Sequence, residues 1–129
     1  MTSLTVPDAS RIVGASQAYD AALDTDAFVA LLTPDVRFRF GSSAELHGRE
    51  AVHASVQKLF DSMTHIQHTT RKLLVDATQI FLQADVEFTP KQGAPLTFPY
   101  VNVLTVEPAG LISEYLIHID ISPLTGRRG

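Results

Sequence analysis

The sequence predicts an α+β fold in which three N-terminal helices pack on one face of a curved, mostly antiparallel sheet. Apolar residues recur at helical spacing in the first half of the chain, and after Thr64 they alternate with polar residues to the end. The last three strand patterns are joined by short turns, which is typical of an antiparallel meander. The 129 residues match one domain, and no linker or internal repeat divides residues 1–129.

The first helix is expected to begin near Pro7 and Asp8, because proline and an acidic residue suit the first turn of a helix. Residues at a spacing of three or four form its apolar stripe: Ile12, Ala15, Tyr19, Ala22 and Leu23. Asp24-Thr25-Asp26 interrupts this stripe and offers a new N-cap. The first helix is therefore expected to end there.

A short second helix is expected to carry Phe28, Leu31 and Leu32 inward. It should end at Thr33-Pro34-Asp35, since the residue before a proline leaves the helical conformation. The next apolar residues alternate with arginines and predict a strand with one apolar face: Val36, Phe38 and Phe40.

A third helix is predicted after Gly48. Its apolar stripe consists of Val52, Val56, Leu59, Phe60 and Met63. Four strands are then predicted near residues 65–75, 79–89, 96–107 and 111–122, with turns at 76–78, 90–95 and 108–110.

Composition limits the possible partners. A formal net charge of −4 disfavours nucleic acid, because neutralising phosphates takes clustered Lys and Arg, and we interpret the one basic cluster, Arg127 and Arg128, as a solvated tail. The chain has no cysteine, which excludes disulfides and thiolate nucleophiles. No segment resembles a signal peptide or a membrane span, so we expect a cytoplasmic protein without membrane contact.

The order of these elements resembles the nuclear transport factor 2-like superfamily, in its SnoaL-like and scytalone dehydratase-like branch. Four segments carry the resemblance: YDAALDTDAFVALLTPDVRFRF, HGREAV, THIQHTT and EYLIHIDISPL. It implies a single SnoaL-like domain, a cone-shaped barrel or cystatin-like roll around one apolar pocket. It also implies a homodimer through the outer sheet face, and we expect this dimer to use apolar residues beyond those one core needs: Leu104, Val106, Ile117 and Ile119.

His68 is the first candidate for a catalytic residue. The resemblance places it inside the cone, where dehydratase-like members use a histidine in proton transfer. An imidazole titrates near neutral pH, so it can take or give a proton there. The alternative is a hydrogen-bonded histidine at a strand edge. A metal site is not expected, because His65 and His68 would lie on opposite faces of a strand.

Asp24 is the expected carboxylate partner of His68, since it matches the position where dehydratases keep a pocket carboxylate. An aspartate at a helix start is also an ordinary N-cap, and that interpretation stays open. Asp20 and Asp26 compete for the same alignment, so the residue that faces the pocket is not decided by the sequence.

His118 and Asp120 lie two apart in the last predicted strand and therefore share one face. Asp120 matches the acidic residue that SnoaL-like cyclases use as acid or base, and His118 would contact substrate beside it. The opposite face carries Tyr115 and three isoleucines at 117, 119 and 121. Either face can line the pocket, and the other then meets solvent, a helix or a partner.

Tyr19 matches the first-helix tyrosine that donates to the oxyanion in ketosteroid isomerases, although plain helix packing would also account for it. Asn102 matches a pocket position that is asparagine in dehydratases. A phenol and an amide aimed at one carbonyl oxygen would stabilise an enolate. The set is partial against each family template, because Phe40 or a neighbour occupies the position of the isomerase base and no histidine lies near Pro90.

We therefore expect a small-molecule pocket protein that needs no cofactor. The first hypothesis is an acid/base enzyme of the cyclase, dehydratase or isomerase type, acting on a hydrophobic oxygenated ring or an enolisable ketone. Four residues are expected to supply the aromatic walls of the pocket: Phe38, Phe40, Phe98 and Tyr100. The alternative is a ligand-binding or assembly module of the same fold, which would tolerate an incomplete acid/base set.

Overall fold

Three helices precede most of the sheet in the computed structural model, which describes residues 3–125. The basic pair Arg127 and Arg128 lies outside these residues. The helices of the first half are α1 (Val6–Ala21), α2 (Thr25–Val29) and α3 (Arg49–Asp61). The strands are β1 (Leu32–Phe40), β2 (Leu46–His47), β3 (Met63–Asp76), β4 (Gln79–Pro90), β5 (Leu96–Val106) and β6 (Ile112–Ile119), followed by the short helix α4 (Ser122–Thr125). The α+β class, the three N-terminal helices and the order of the long strands are confirmed.

Helix α1 begins as expected, with Pro7 in its first turn. The side chain of Thr5 caps the helix by accepting a hydrogen bond from the backbone N–H of Asp8 at 3.1 Å. This cap satisfies one of the backbone donors that the first turn of a helix leaves unpaired.

Helix α2 is shorter than predicted. It ends at Val29, so Leu31 and Leu32 are not helical, and Leu32 already pairs with Ile112 of β6. A run of apolar residues this short fits a helix or a strand equally well, and strand pairing decided the outcome. Met63 similarly belongs to β3 and not to α3.

The sheet has six strands in the order β2-β1-β6-β5-β4-β3. Only β1 and β6 run parallel, and every other neighbouring pair is antiparallel. Strands β2 and β3 are the two edge strands, each paired on one side only, so the sheet curves around the core without closing into the predicted barrel.

The residues expected to form a dimer face point inward instead. Leu104 and Val106 belong to the core, at 1% and 3% exposure. Ile117 and Ile119 pack against that core and line the cavity described below. The prediction that these four residues form the outer face is wrong, because side chains alternate along a strand and the register of β5 with β6 turns this set toward the helices.

Within residues 3–125, no helix is both long enough and apolar enough to cross a membrane.

Candidate active site

A cavity of about 760 Å³ lies between the three N-terminal helices and the inner face of the sheet. This volume is within the range of small-molecule sites. Its exposed lining residues Ser43, Lys58 and Gln92 mark the opening to solvent. Most of the wall is apolar and includes Phe28, Phe38, Phe40, Leu59, Phe60, Met63, Ile66, Val86, Phe88, Ile117, Ile119 and Ile121.

Three polar side chains form a continuous hydrogen-bonded chain in this wall. His68 Nε2 lies 2.7 Å from Asp20 Oδ2, and His68 Nδ1 lies 2.7 Å from the Tyr100 hydroxyl oxygen. All three residues line the cavity. The side chains of His68 and Asp20 are only 11% and 16% exposed, so the pair is largely withdrawn from water.

Three separate elements bring these residues together. Asp20 stands in the last turn of α1, His68 in the middle of β3, and Tyr100 in β5 on the far side of β4. A hydrogen bond from Gln17 Nε2 to Thr70 Oγ1 at 2.9 Å ties α1 to β3 one turn before Asp20. The carboxylate is therefore held over the strand that carries the imidazole.

Burial raises the pKa of Asp20, and the hydrogen bond and charge of His68 oppose that rise only in part. The cause is desolvation, which disfavours the charged form of an acid in an apolar wall. The position in the last turn of α1 acts in the same direction, because the negative end of a helix repels a carboxylate. Asp20 is therefore poised to hold a proton at a higher pH than an ordinary aspartate.

Tyr115 and Asn102 add two more polar groups to the cavity wall. The Tyr115 hydroxyl lies 3.3 Å from Ser16 Oγ, and burial raises the pKa of both Tyr115 and Tyr100, so both stay protonated at neutral pH. Asn102 is 4% exposed, and its Oδ1 has no hydrogen-bond partner among the described residues. A buried amide oxygen without a partner is costly, and a ligand donor in the cavity would satisfy it.

The structure selects Asp20 from the three competing aspartates. Asp24 caps α2 instead, since its Oδ1 accepts from the backbone N–H of Ala27 at 3.1 Å on the surface. Asp26 is exposed and lies 2.7 Å from His53 Nε2. The expected pocket position of Asp24 is therefore wrong, because local capping chemistry occupies that side chain.

The last strand turns its isoleucine face to the cavity. His118 and Asp120 are exposed on the other side, and Asp120 Oδ1 accepts from the backbone N–H of Ser122 at 3.0 Å. This contact holds the pKa of Asp120 below its usual value. Their expected pocket positions are wrong, because the pairing of β6 with β1 and β5 places Tyr115 inside, and residues two apart share its face.

Two further expected pocket residues lie outside the cavity lining. Tyr19 is half-buried and packs against the core, while its neighbour Asp20 takes the cavity position. Phe98 is buried, with its ring centroid 5.9 Å from that of Phe88, but does not reach the cavity. Phe38, Phe40, Tyr100 and Asn102 lie in the lining, where they were expected.

Sequence reasoning missed two polar contributions. Tyr100 was expected only as an aromatic wall, and Tyr115 only as part of an apolar face. An acidic residue at the C-terminal turn of a helix, where the helix dipole disfavours it, was the local signal for Asp20. Within residues 3–125, no group of three or more His, Asp or Glu side chains is arranged to hold a metal ion.

Comparison with known proteins identifies the fold. A family model described as the SnoaL-like domain matches residues 15–115. No curated protein matches the chain at the sequence level.

Solved structures match across most of the chain at low identity. An NTF2-like protein of unknown function from Burkholderia pseudomallei is 18% identical over 92% of this chain and 95% of its own, with a TM-score of 0.80. A putative SnoaL-like polyketide cyclase from Jannaschia is 18% identical over 92% and 90%, with a TM-score of 0.78. An LEH-like epoxide hydrolase from Mycobacterium tuberculosis is 14% identical over 93% and 88%, with a TM-score of 0.76. At these identities the likeness shows the shared fold alone.

Proposed function

This chain belongs to the SnoaL-like domain family, and we propose that it is a cofactor-independent acid/base enzyme acting on a hydrophobic, oxygenated small molecule. The observation that carries the proposal is the Asp20–His68–Tyr100 chain in the wall of an apolar cavity. A carboxylate with a raised pKa, joined to an imidazole and a phenol, is suited to moving protons near neutral pH.

The reaction class we propose is cyclisation, dehydration or isomerisation. Each of these moves a proton between substrate atoms and requires no group that the chain itself cannot supply. Asp20 is the only carboxylate among the described lining residues, and they include no arginine, so the chemistry centres on one proton-accepting site. The apolar wall suits the carbon skeleton of an oxygenated ring or an enolisable ketone, and Asn102 suits a polar substituent on it.

The proposal predicts that the protein accelerates ring opening of a nitrobenzisoxazole. This apolar ring opens when a base removes one carbon-bound proton, and the product is a coloured phenolate that absorbance follows. A desolvated carboxylate is a stronger base than one in water, so a saturable rate above the buffer rate is expected.

The same assay separates the enzyme from a binding module of the same fold. If the probe binds in the cavity, as competition with a fluorescent apolar dye would show, and opens no faster than in buffer, the non-catalytic module is the better description. Both ring nitrogens of His68 already have protein partners, and this feature is compatible with a module that only binds.

We also propose a homodimer through the outer face of the sheet, on residues other than those first expected. Leu74, Phe81, Val103 and Leu116 pair in sequence across β3, β4, β5 and β6 and form one apolar row, the outer stripe. Leu74 is 57% exposed and the neighbouring Val101 is 41% exposed, so the surface here includes large apolar side chains. A second copy of the protein that covers the outer stripe would remove these apolar side chains from water.

Val103→Asp is expected to convert the dimer into a monomer, because it would bury one carboxylate per chain in an apolar interface. Sedimentation velocity at micromolar concentration measures the change. Ala54→Asp, on the exposed side of α3, adds the same charge away from the stripe and is the control. A wild-type protein that sediments as a monomer would contradict the proposal.

A further inference from the structure

His68 has no ring nitrogen left for a ligand. One nitrogen lies 2.7 Å from Asp20 and the other lies 2.7 Å from Tyr100, which are short hydrogen-bond distances. A histidine held at both nitrogens can pass a proton along the chain, but it cannot take one from a substrate without breaking a contact. The group that meets the substrate must therefore stand at an end of the chain.

We propose that the Tyr100 hydroxyl, and not the His68 imidazole, exchanges the proton with the substrate, while His68 relays that proton to and from Asp20. Tyr100 lines the cavity, and its oxygen contacts His68 with one lone pair or with its hydrogen. The Gln17 amide of α1 also interacts with this hydroxyl, which has one hydrogen and two oxygen lone pairs, so one hydrogen-bonding position is left for a ligand. Under this proposal Tyr100 is the catalytic residue and His68 is a positioning residue.

A single proton decides which groups donate and which accept in the hydrogen bonds that join Asp20, His68 and Tyr100. When Asp20 is ionised and His68 neutral, His68 Nε2–H donates to Asp20 and Tyr100 O–H donates to His68 Nδ1. Tyr100 then offers only an oxygen lone pair to the cavity. It accepts a hydrogen bond from a ligand in this state.

One added proton reverses this arrangement. Whether it resides on Asp20 or on His68, the ring carries a hydrogen on Nδ1, and that N–H donates to the Tyr100 oxygen. The Tyr100 hydrogen is then released to donate into the cavity. The result is the same for both locations of the proton, because Asp20 and His68 share it through the Nε2 contact.

Proton transfer along the chain balances at every atom. Tyr100 takes a proton from the substrate as its own hydrogen passes to His68 Nδ1, and the hydrogen on Nε2 passes to Asp20. The reverse sequence returns a proton to the substrate at a second atom, such as a departing hydroxyl oxygen or another carbon. The role of this relay in catalysis rests on the proposed function. The relay narrows that function to reactions in which the proton taken from the substrate is returned to it.

Gln17 interacts with Tyr100 and carries no charge, and few other titratable or polar groups among residues 3–125 act on the three side chains. Tyr115 and Ser16 lie on the inner side and stay neutral, and Asn102 follows Tyr100 by two positions on the same face of β5. Asp85 faces outward from β4 and is paired with Arg71 at 2.6 Å. The proton uptake that reverses the hydrogen bonds is therefore expected to follow Asp20, whose pKa burial raises, and to reach Tyr100 through the contact between Asp20 and His68.

Nitrogen NMR of labelled histidine side chains tests the relay without any substrate. At high pH, where Asp20 is ionised, His68 is expected to carry its hydrogen on Nε2, and after the addition of one proton to the three side chains it should carry a hydrogen on Nδ1. Tyr100→Phe removes the donor to Nδ1, so the Nδ1 resonance should move toward that of an imine nitrogen with no hydrogen bond. A neutral His68 protonated on Nδ1 at high pH would overturn the proposal, and His65, exposed on β3, serves as the unlinked reference.

Binding of two matched probes tests the ligand-facing role of Tyr100. Naphthol can donate a hydrogen bond, whereas acetylnaphthalene can only accept one. We expect the ratio of the affinity for naphthol to the affinity for acetylnaphthalene to fall by about two- to tenfold as the pH drops and the added proton reverses the hydrogen bonds to Tyr100. This is the effect of one hydrogen bond. In Tyr100→Phe the ratio should not depend on pH.

A pH-independent ratio in the wild-type protein would overturn the proposal, as would a Tyr100→Phe variant that keeps the pH dependence. Neither measurement needs turnover, so this inference can fail while the nitrobenzisoxazole reaction succeeds, or the reverse. Where turnover is measurable, Tyr100→Phe should lower kcat more than it raises KM, because the hydroxyl acts in proton transfer.

Discussion

Asp20→Asn is expected to lower the rate of nitrobenzisoxazole opening by about 10²–10⁴-fold, the usual contribution of one acid/base group. The substitution keeps the shape of the side chain and an oxygen that can accept from His68 Nε2–H, but it removes the place where the proton is stored. The active form has Asp20 ionised, and its pKa is raised above the ordinary 3.8. Wild-type activity should therefore rise with pH through a midpoint above that value.

Asp24→Asn is the matched control for this experiment. It removes a carboxylate four residues away, at the surface cap of α2, and asparagine is an equally good N-cap. Its rate and pH profile should equal those of the wild-type protein. If Asp20→Asn kept the wild-type rate, or if Asp24→Asn lost it, the assignment of the cavity carboxylate would be wrong.

Leu32→Ala is expected to lower the free energy of unfolding by about 2–5 kcal/mol, the range for removing a large aliphatic side chain from a core. Leu32 is fully buried at the start of β1, and its carbonyl oxygen accepts from Arg49 Nε at 2.8 Å. The surrounding strands hold the backbone in place and limit collapse around the lost side chain. Urea denaturation measures the loss as a lower midpoint at an unchanged slope.

Val6→Ala is the control for Leu32→Ala, because Val6 is 57% exposed and its truncation opens no cavity. Its effect should stay within about 0.5 kcal/mol, as for most surface substitutions. Since Leu32 is not part of the cavity lining, Leu32→Ala should leave probe affinity unchanged below its unfolding transition. A Leu32→Ala protein as stable as the wild type would contradict the core assignment.

Local pattern was sufficient for most of the fold. The proline and the acidic residue at the start of α1 and the alternation along β4 and β5 are visible in short windows of sequence, and the structure has these elements where they were predicted. The parallel pairing of β1 with β6 is not visible there, because it depends on contacts between distant segments. That pairing also determined where α2 ends and which face of β6 is buried.

The candidate site shows the same division between local and distant information. The N-cap role of Asp24 follows from its neighbours, whereas the position of Asp20 depends on how α1 lies over β3. His118 and Asp120 share a face, as their spacing predicted, but the direction of that face required the register of three strands. The sequence could predict that an imidazole and a carboxylate lie together in the site, but it could not predict which aspartate supplies the carboxylate.

The single parallel pairing in the sheet also has a consequence for folding kinetics. Strands β3 to β6 follow one another through short turns, whereas β1 meets β6 through residues such as Arg37 and Glu114, 77 positions apart. Closing so long a loop costs entropy before any contact repays it, so the meander is expected to assemble first and β1 to dock late. Substitutions between β1 and β6 should then mainly speed unfolding, and the ligand cavity, walled partly by β1, should be complete only after the folding barrier has been crossed.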